Sequence, residues 1–224
     1  MISMEQITDL LGKPKKLTFA DTQDQNPIPS IEHYIDQGSN QVVSRLVNLN
    51  ERLVLCSEDF YIAIADAYRY RKELSLNHFQ DKDLRKKSHF IVNLTLVQQL
   101  QDNDSKFMQL SQMNFVELSG SEQAVNSNKK GTTYQNIKET PTHEFVSKSF
   151  NSLSCHLMKL IQRKKKNSTQ SALISEDTET KLVSCLRSTM SQTSNILLIS
   201  CVDPDQQMFE HSLPSLKFCA SMRD

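Results

Sequence analysis

Residues 113–122 read Met-Asn-Phe-Val-Glu-Leu-Ser-Gly-Ser-Glu: a short apolar strand that runs into a carboxylate, then small residues around one glycine, then a second carboxylate. An apolar run ending this way suits the carboxyl end of a strand in a layered α/β protein, where ligands bind outside the strand ends. In a phosphate-binding protein of that kind Glu117 would lie near a metal, and the Gly120 amide would face a terminal phosphate. The loop that should hold the phosphates is missing. The chain has four glycines, Gly12, Gly38, Gly120 and Gly131, and no pair has the G-x-x-x-x-G-K-[ST] spacing whose amides cradle a nucleotide.

At 224 residues, 38% of them hydrophobic, the chain can bury one sizeable core, and one globular unit over residues 1–224 is expected. Its 26 basic residues balance 26 acidic ones, so no global field draws it to nucleic acid or to a membrane surface, and an electrostatic partner must meet a local patch. Cys56, Cys155, Cys185, Cys201 and Cys219 are odd in number and contain no C-x-x-C pair, which disfavours a disulfide framework and a zinc site and fits a reducing cytoplasm. The longest apolar run, residues 196–202, is too short to insert into a bilayer, and no signal peptide is recognisable, so a soluble protein is expected.

Along the chain, apolar positions at 2, 4, 7, 10 and 11 end at Gly12 and Pro14, and residues 18–44 read as loops with short strands. Ser57 is placed to cap a helix running to about Glu73, with Phe60, Ile64 and Ala67 or Tyr68 on one face. After a charged loop over 81–87, Phe90, Val92, Leu94 and Leu96 alternate as in a half-buried strand, and a hairpin-like link around 101–106 joins it to the strand at 113. Thr140 and Pro141 start a helix in which Val146, Phe150, Leu153, Leu157 and Leu160 form a stripe for a core or a partner groove. Cys155 and Cys185 read as buried small hydrophobes on helices. Residues 163–166, Arg-Lys-Lys-Lys, break that pattern and open a loop to about Asp177. A shorter helix with Leu182, Leu186 and Met190, a buried strand over 196–202 and a last helix through Leu213, Leu216 and Phe218 complete an α/β alternation.

Three segments, each weak alone, resemble the kinesin motor domain when taken together. Residues 82–89, ending in Ser88-His89 and followed by an alternating strand, resemble the first kinesin switch, N-x-x-S-S-R-S-H, and Phe115 to Glu122 resembles the second, V-D-L-A-G-S-E. Phe209-Glu210-His211-Ser212-Leu213-Pro214-Ser215-Leu216-Lys217-Phe218 resembles the closing motif F-E-E-T-L-S-T-L-R-F. Between them, Val146-Ser147-Lys148-Ser149-Phe150 stands where kinesins read I-N-K-S-L and Thr180-Lys181-Leu182 where they read S-K-L, while residues 2–11 look like the strand E-I-Y-x-E-x-I-x-D-L-L. The resemblance implies a kinesin-type, P-loop-NTPase-like mixed sheet flanked by helices. It covers the later two thirds of a motor domain, incomplete at the N-terminus; either the gene product lacks the early strands and P-loop or the chain is a fragment.

Departures from the family pattern carry the functional reading. Where the first switch places a serine hydroxyl by magnesium and the attacking water, this chain has Lys86, whose ammonium cannot ligate a metal; Lys82 replaces the opening asparagine and Arg85 the first serine. In the second switch Glu117 replaces aspartate, while Gly120, Ser121 and Glu122 match. The family's switch-to-switch ion pair would here become Lys87 with Glu122, with a weaker, single-point donor. Ser147 replaces a coupling asparagine, and Pro214 inside the last helix should kink it or remove one backbone hydrogen bond. Ser88 and His89 are read as structural, with no acid/base role.

The resemblance implies a vestigial ATPase with no catalytic residue and no metal site, ATP and magnesium entering only if a P-loop lies upstream. It implies microtubules as partner, through Lys148, Lys181 and the cations Arg163, Lys164, Lys165 and Lys166, which either attract tubulin's acidic tails or are a solvated charge run. The degeneracy resembles that of divergent, conventional-kinesin-like proteins of budding yeasts, linked to class V myosin, so a myosin or another transport partner is a further expectation. A cytoplasmic, cytoskeleton-associated protein follows, with no nucleic-acid partner and no membrane insertion. Two rivals stay open: an active microtubule-stimulated ATPase present as a fragment, and a protein-interaction scaffold that ignores microtubules.

Overall fold

A computed structural model of the chain describes residues 1–4, 6–12, 28–36, 41–77, 87–102, 105–120, 141–166, 179–190, 194–205 and 209–222. Its strands form three antiparallel ribbons. The first pairs β1 (Ile2–Ser3) with β2 (Gln6–Ile7), the second β3 (Ser30–Asp36) with β4 (Gln41–Val47), and the third β5 (Phe90–Asp102) with β6 (Ser105–Glu117). Four helices accompany them: α1 (Ser57–Asn77), α2 (Pro141–Lys166), α3 (Lys181–Leu186) and α4 (Phe209–Ser221). Helices and small antiparallel sheets together make an incomplete α/β fold.

The β5–β6 ribbon is where sequence pattern and tertiary structure meet most directly. Alternation of apolar and polar residues selects one face for the core and so fixes register, and the ladder pairs Phe90 with Glu117 at one end and Asp102 with Ser105 at the other. The hairpin expected around 101–106 therefore forms, with strands longer than the alternation alone suggests. Among the described side chains, burial is concentrated at the end nearest Phe90. Phe90 is enclosed and Ile91 and Val116 pack on the core, whereas Leu96, Val97, Leu110 and Met113 face solvent.

Helix α1 begins one residue away from the expected cap. Ser57 is its first helical residue; the Cys56 carbonyl accepts the Phe60 N–H, and the Asp59 carboxylate accepts the Leu55 N–H at 3.0 Å. That bond holds the Asp59 carboxyl below its usual range, a favourable placement for an anion at a helix N-terminus. The helix runs past Glu73 to Asn77, and its inward stripe is Ala63, Ala67 and Arg71 at steps of four. Ala67 lets it lie close on Leu10 and Phe90, with Tyr70 and Leu74 beside them.

The main core is built on α2. Val146, Leu153, Leu157 and Leu160 are buried as the stripe predicts, and with Phe145 they pack on Leu182, Val183, Cys185 and Leu186 of the α3 region and on Ile2. Phe150 is partly buried against the same cluster, as are Ile31 and Leu46 of the second ribbon and Phe218 of α4. Burying each leucine of this kind contributes about 1.5–3 kcal/mol.

Three expectations need correction. Arg163, Lys164, Lys165 and Lys166 form the last turn of α2 rather than opening a loop, because a final helical turn needs no apolar face and cations there complement the helix dipole. Cys155 is exposed, since it lies about half a turn away from Leu153 and Leu157, although Cys185 is buried. α4 continues through Pro214, whose missing N–H removes one helical hydrogen bond as expected. Residues 196–202 are not a buried strand: Leu197 is 84% exposed and Ile199 76%, and no strand pairs with them among the described residues. An apolar run of this length suits a strand covered on both faces; here Leu198 and Ser200 are half-buried while Leu197 and Ile199 are exposed.

Candidate functional site

The ladder pairing Phe90 with Glu117 brings the two switch-like motifs together, because Ser88 and His89 precede β5 while Ser119 and Gly120 follow β6. Between them lies the guanidinium of Arg71, whose side chain is only 2% exposed. Its Nη1 donates to Glu117 Oε2 at 3.0 Å, and its Nη2 donates to both the carbonyl and the Oγ of Ser88 at 3.2 Å. The guanidinium carbon lies 5.2 Å from the centre of the Phe90 ring, within cation–π range. One turn earlier on α1, the Tyr68 hydroxyl donates to the same Glu117 oxygen at 3.3 Å, and its ring packs 4.9 Å from that of Phe90. A cation cannot be buried cheaply without a paired anion and hydrogen-bond acceptors; Glu117 and Ser88 supply both.

His89 is the second hub. Its backbone N–H and carbonyl each bond to Ile2 at 2.9 Å, which fixes the residue from both sides. Nδ1 accepts the backbone N–H of Ser119 at 3.1 Å, so the neutral ring carries its proton on Nε2. The ring lies 5.4 Å from that of Phe145 and 6.4 Å from that of Phe150, both on α2. Burial first, and the charge of Arg71 second, lower its pKa to about 4, so the ring is neutral at physiological pH. Nε2 of His89 and the hydroxyls of Ser119 and Ser149 are buried without hydrogen-bond partners among the described residues.

The residues singled out from sequence are thus distributed as follows. Ser88, His89, Glu117 and Gly120 meet at one end of the β5–β6 ribbon, with Lys87 half-exposed just before it. Lys148 is exposed on α2, and Lys181 is exposed at the first position of α3. Lys82, Arg85, Lys86, Ser121 and Glu122 lie outside the described residues, and with them the expected Lys87–Glu122 pair. Arg71 and Tyr68 were not foreseen as site residues. Arg71, four residues after Ala67 and eight after Ala63, falls on an inward stripe of α1 that becomes visible only once those alanines are seen to be buried, and a cation there must find a partner.

A second polar cluster lies between β3 and the α3 region. Arg187 and Glu179 form a two-pronged ion pair, with Arg187 Nε donating to Glu179 Oε1 at 3.0 Å, and Ile31, His33, Lys181 and Ser184 line the cleft beside it. His33 bonds across the ribbon to Ser44 Oγ at 3.0 Å. Among the described residues, no group of three or more His, Cys, Asp or Glu side chains is placed to hold a metal ion, and no helix is long and apolar enough to cross a membrane.

Comparison with curated proteins gives no match. The family model for the kinesin motor domain matches residues 1–224, the full length of the sequence, and the chain therefore belongs to the kinesin motor domain family.

Proposed function

We propose that this chain is a noncatalytic kinesin-like domain that binds microtubules, or another cytoskeletal transport partner such as a myosin, without hydrolysing ATP. One observation carries the reading. The carboxylate at the end of β6, which a nucleotide-using member would turn toward magnesium, is engaged by the buried guanidinium of Arg71, and the same guanidinium holds Ser88. A fixed cation 3.0 Å from Glu117 Oε2 repels a dication at this carboxylate and takes up one of its two oxygens. The residues present do not fit a magnesium–phosphate group. Lys86 in place of a serine hydroxyl points the same way.

The binding half of the proposal rests on cations and family membership. Lys148 and Lys181 are solvent-exposed, and Arg163, Lys164, Lys165 and Lys166 concentrate four positive charges at the end of α2 in a chain of zero net charge. Such a block acts locally, within about 8–10 Å at physiological salt. A single unit over residues 1–224, working in the cytoplasm on the cytoskeleton, completes the reading.

Cosedimentation with microtubules across a salt series tests it. The chain is expected to pellet at low salt and to lose affinity as salt rises. Replacing Lys164, Lys165 and Lys166 with alanine is expected to weaken binding and flatten the salt dependence. Absence of pelleting at low salt removes the microtubule reading; unchanged affinity in the triple variant removes the block from the interface.

A further inference from the structure

We infer that His89 is a positioning residue that clamps the turn at residues 118–120 to α2, so that protein contacts hold this turn at the end of β6. The inference rests on the reading of the site as noncatalytic.

Four features converge on the imidazole. Its Nδ1 accepts the Ser119 N–H at 3.1 Å, in a place where His89 is fully buried and Ser119 is 3% exposed, so water cannot substitute for the bond. Its backbone is fixed by a reciprocal pair with Ile2, which denies the ring the freedom to follow a moving loop. The ring rests against Phe145 and Phe150, so the clamp reaches the first turns of α2 and through them the core cluster of Val146, Leu153 and Leu157.

The fourth feature decides between clamp and filler. Nε2–H is buried with no acceptor among the described residues, and leaving such a donor unmade costs about 1–3 kcal/mol. Phenylalanine or leucine would fill the same apolar niche without that cost. What histidine adds is the acceptor at Nδ1, and that acceptor is used on the backbone of the turn. Arg71 closes the other side by holding the Ser88 carbonyl, so adjacent residues at the start of β5 are fixed to α1 and to the turn respectively.

The test uses the full chain and two substitutions. His89→Leu removes the acceptor at similar bulk, and His89→Asn places an amide oxygen near the position of Nδ1. Backbone amide exchange is read at Ser119 and, as an internal standard, along the β5–β6 ladder. His89→Leu is expected to speed exchange at Ser119 by about tenfold, the equivalent of one lost hydrogen bond, with the ladder unchanged, and His89→Asn is expected to recover most of the protection. Equal acceleration along the ladder, no change at Ser119, or no recovery by asparagine overturns the clamp. Should the leucine variant not fold, the ring nitrogen-15 spectrum of the unsubstituted chain decides. A bare Nδ1 with a protonated Nε2 supports the clamp, and a proton on Nδ1 at neutral pH overturns it. Microtubule pelleting in the same preparation keeps the two readings apart: faster Ser119 exchange in His89→Leu with no pelleting of the unsubstituted chain supports the clamp and removes the microtubule function.

Discussion

Arg71 and His89 show how two buried cationic-type side chains are handled in opposite ways. The guanidinium of Arg71 is buried with Glu117 and Ser88 as its partners; His89 gives up its charge because burial and Arg71 both oppose a second cation. The pH consequence follows. An unfolded histidine takes its proton as pH falls through about 6.5, whereas folded His89 takes it only near 4. Between those values the unfolded state binds more protons, so stability falls as pH drops from 6.5 toward 4 and is independent of this group above and below the window. The shift as a whole is worth on the order of 3 kcal/mol. Urea unfolding at pH 6.5 and 5.5 is expected to show the unsubstituted chain losing about 1 kcal/mol more than His89→Asn over that step; parallel losses would show that His89 is not the titrating group. Sequence placed His89 as a structural hydrogen bonder but could not name Ser119 as its donor. Nor did it single out Arg71, because an arginine in a mixed helical sequence reads as solvent-facing until the neighbouring alanines are seen to be buried.

At the scale of elements, periodicity was most informative where one face is uniformly apolar. The stripe on α2 was legible because Val146, Leu153, Leu157 and Leu160 follow helical steps and no charge interrupts them. Leu157→Ala is expected to cost about 2–4 kcal/mol, the transfer cost plus the cavity left in the cluster with Leu153 and Leu160. Thermal or urea unfolding reads the loss, and a change below about 1 kcal/mol would place Leu157 outside a packed core. The same periodicity misled at the end of α2, where loss of the apolar face was taken for loss of the helix. The β5–β6 hairpin was legible from alternation and the polar link, but its full length was not, because Leu96 and Val97, on opposite faces, are both exposed and no single buried face marks the strand there.

For the whole molecule, the decisive relation is between a site and the sheet that should carry it. Three antiparallel ribbons pack on a helical core, and Ile196, Leu197, Ile199 and Val202 of the apolar stretch at 196–202 are exposed. The two switch-like motifs nevertheless meet, since a single hairpin register suffices to bring them together. With the strand-end carboxylate engaged by Arg71, labelled ATP analogues are expected not to bind measurably in the presence of magnesium. Saturable, magnesium-dependent binding measured by filter retention or calorimetry would overturn the noncatalytic reading. The sequence by itself determined the family, the poverty in glycine that excludes a Walker-type loop, the α2 stripe and the hairpin, all of which depend on residues close along the chain or on their order. Only the tertiary structure decided that Arg71 answers Glu117, that His89 holds Ser119 and that residues 196–202 find no ladder among the described residues. The Arg71–Glu117 pair joins residues 46 positions apart and the Ser119–His89 bond residues 30 apart, and local pattern carries no information about which distant group arrives.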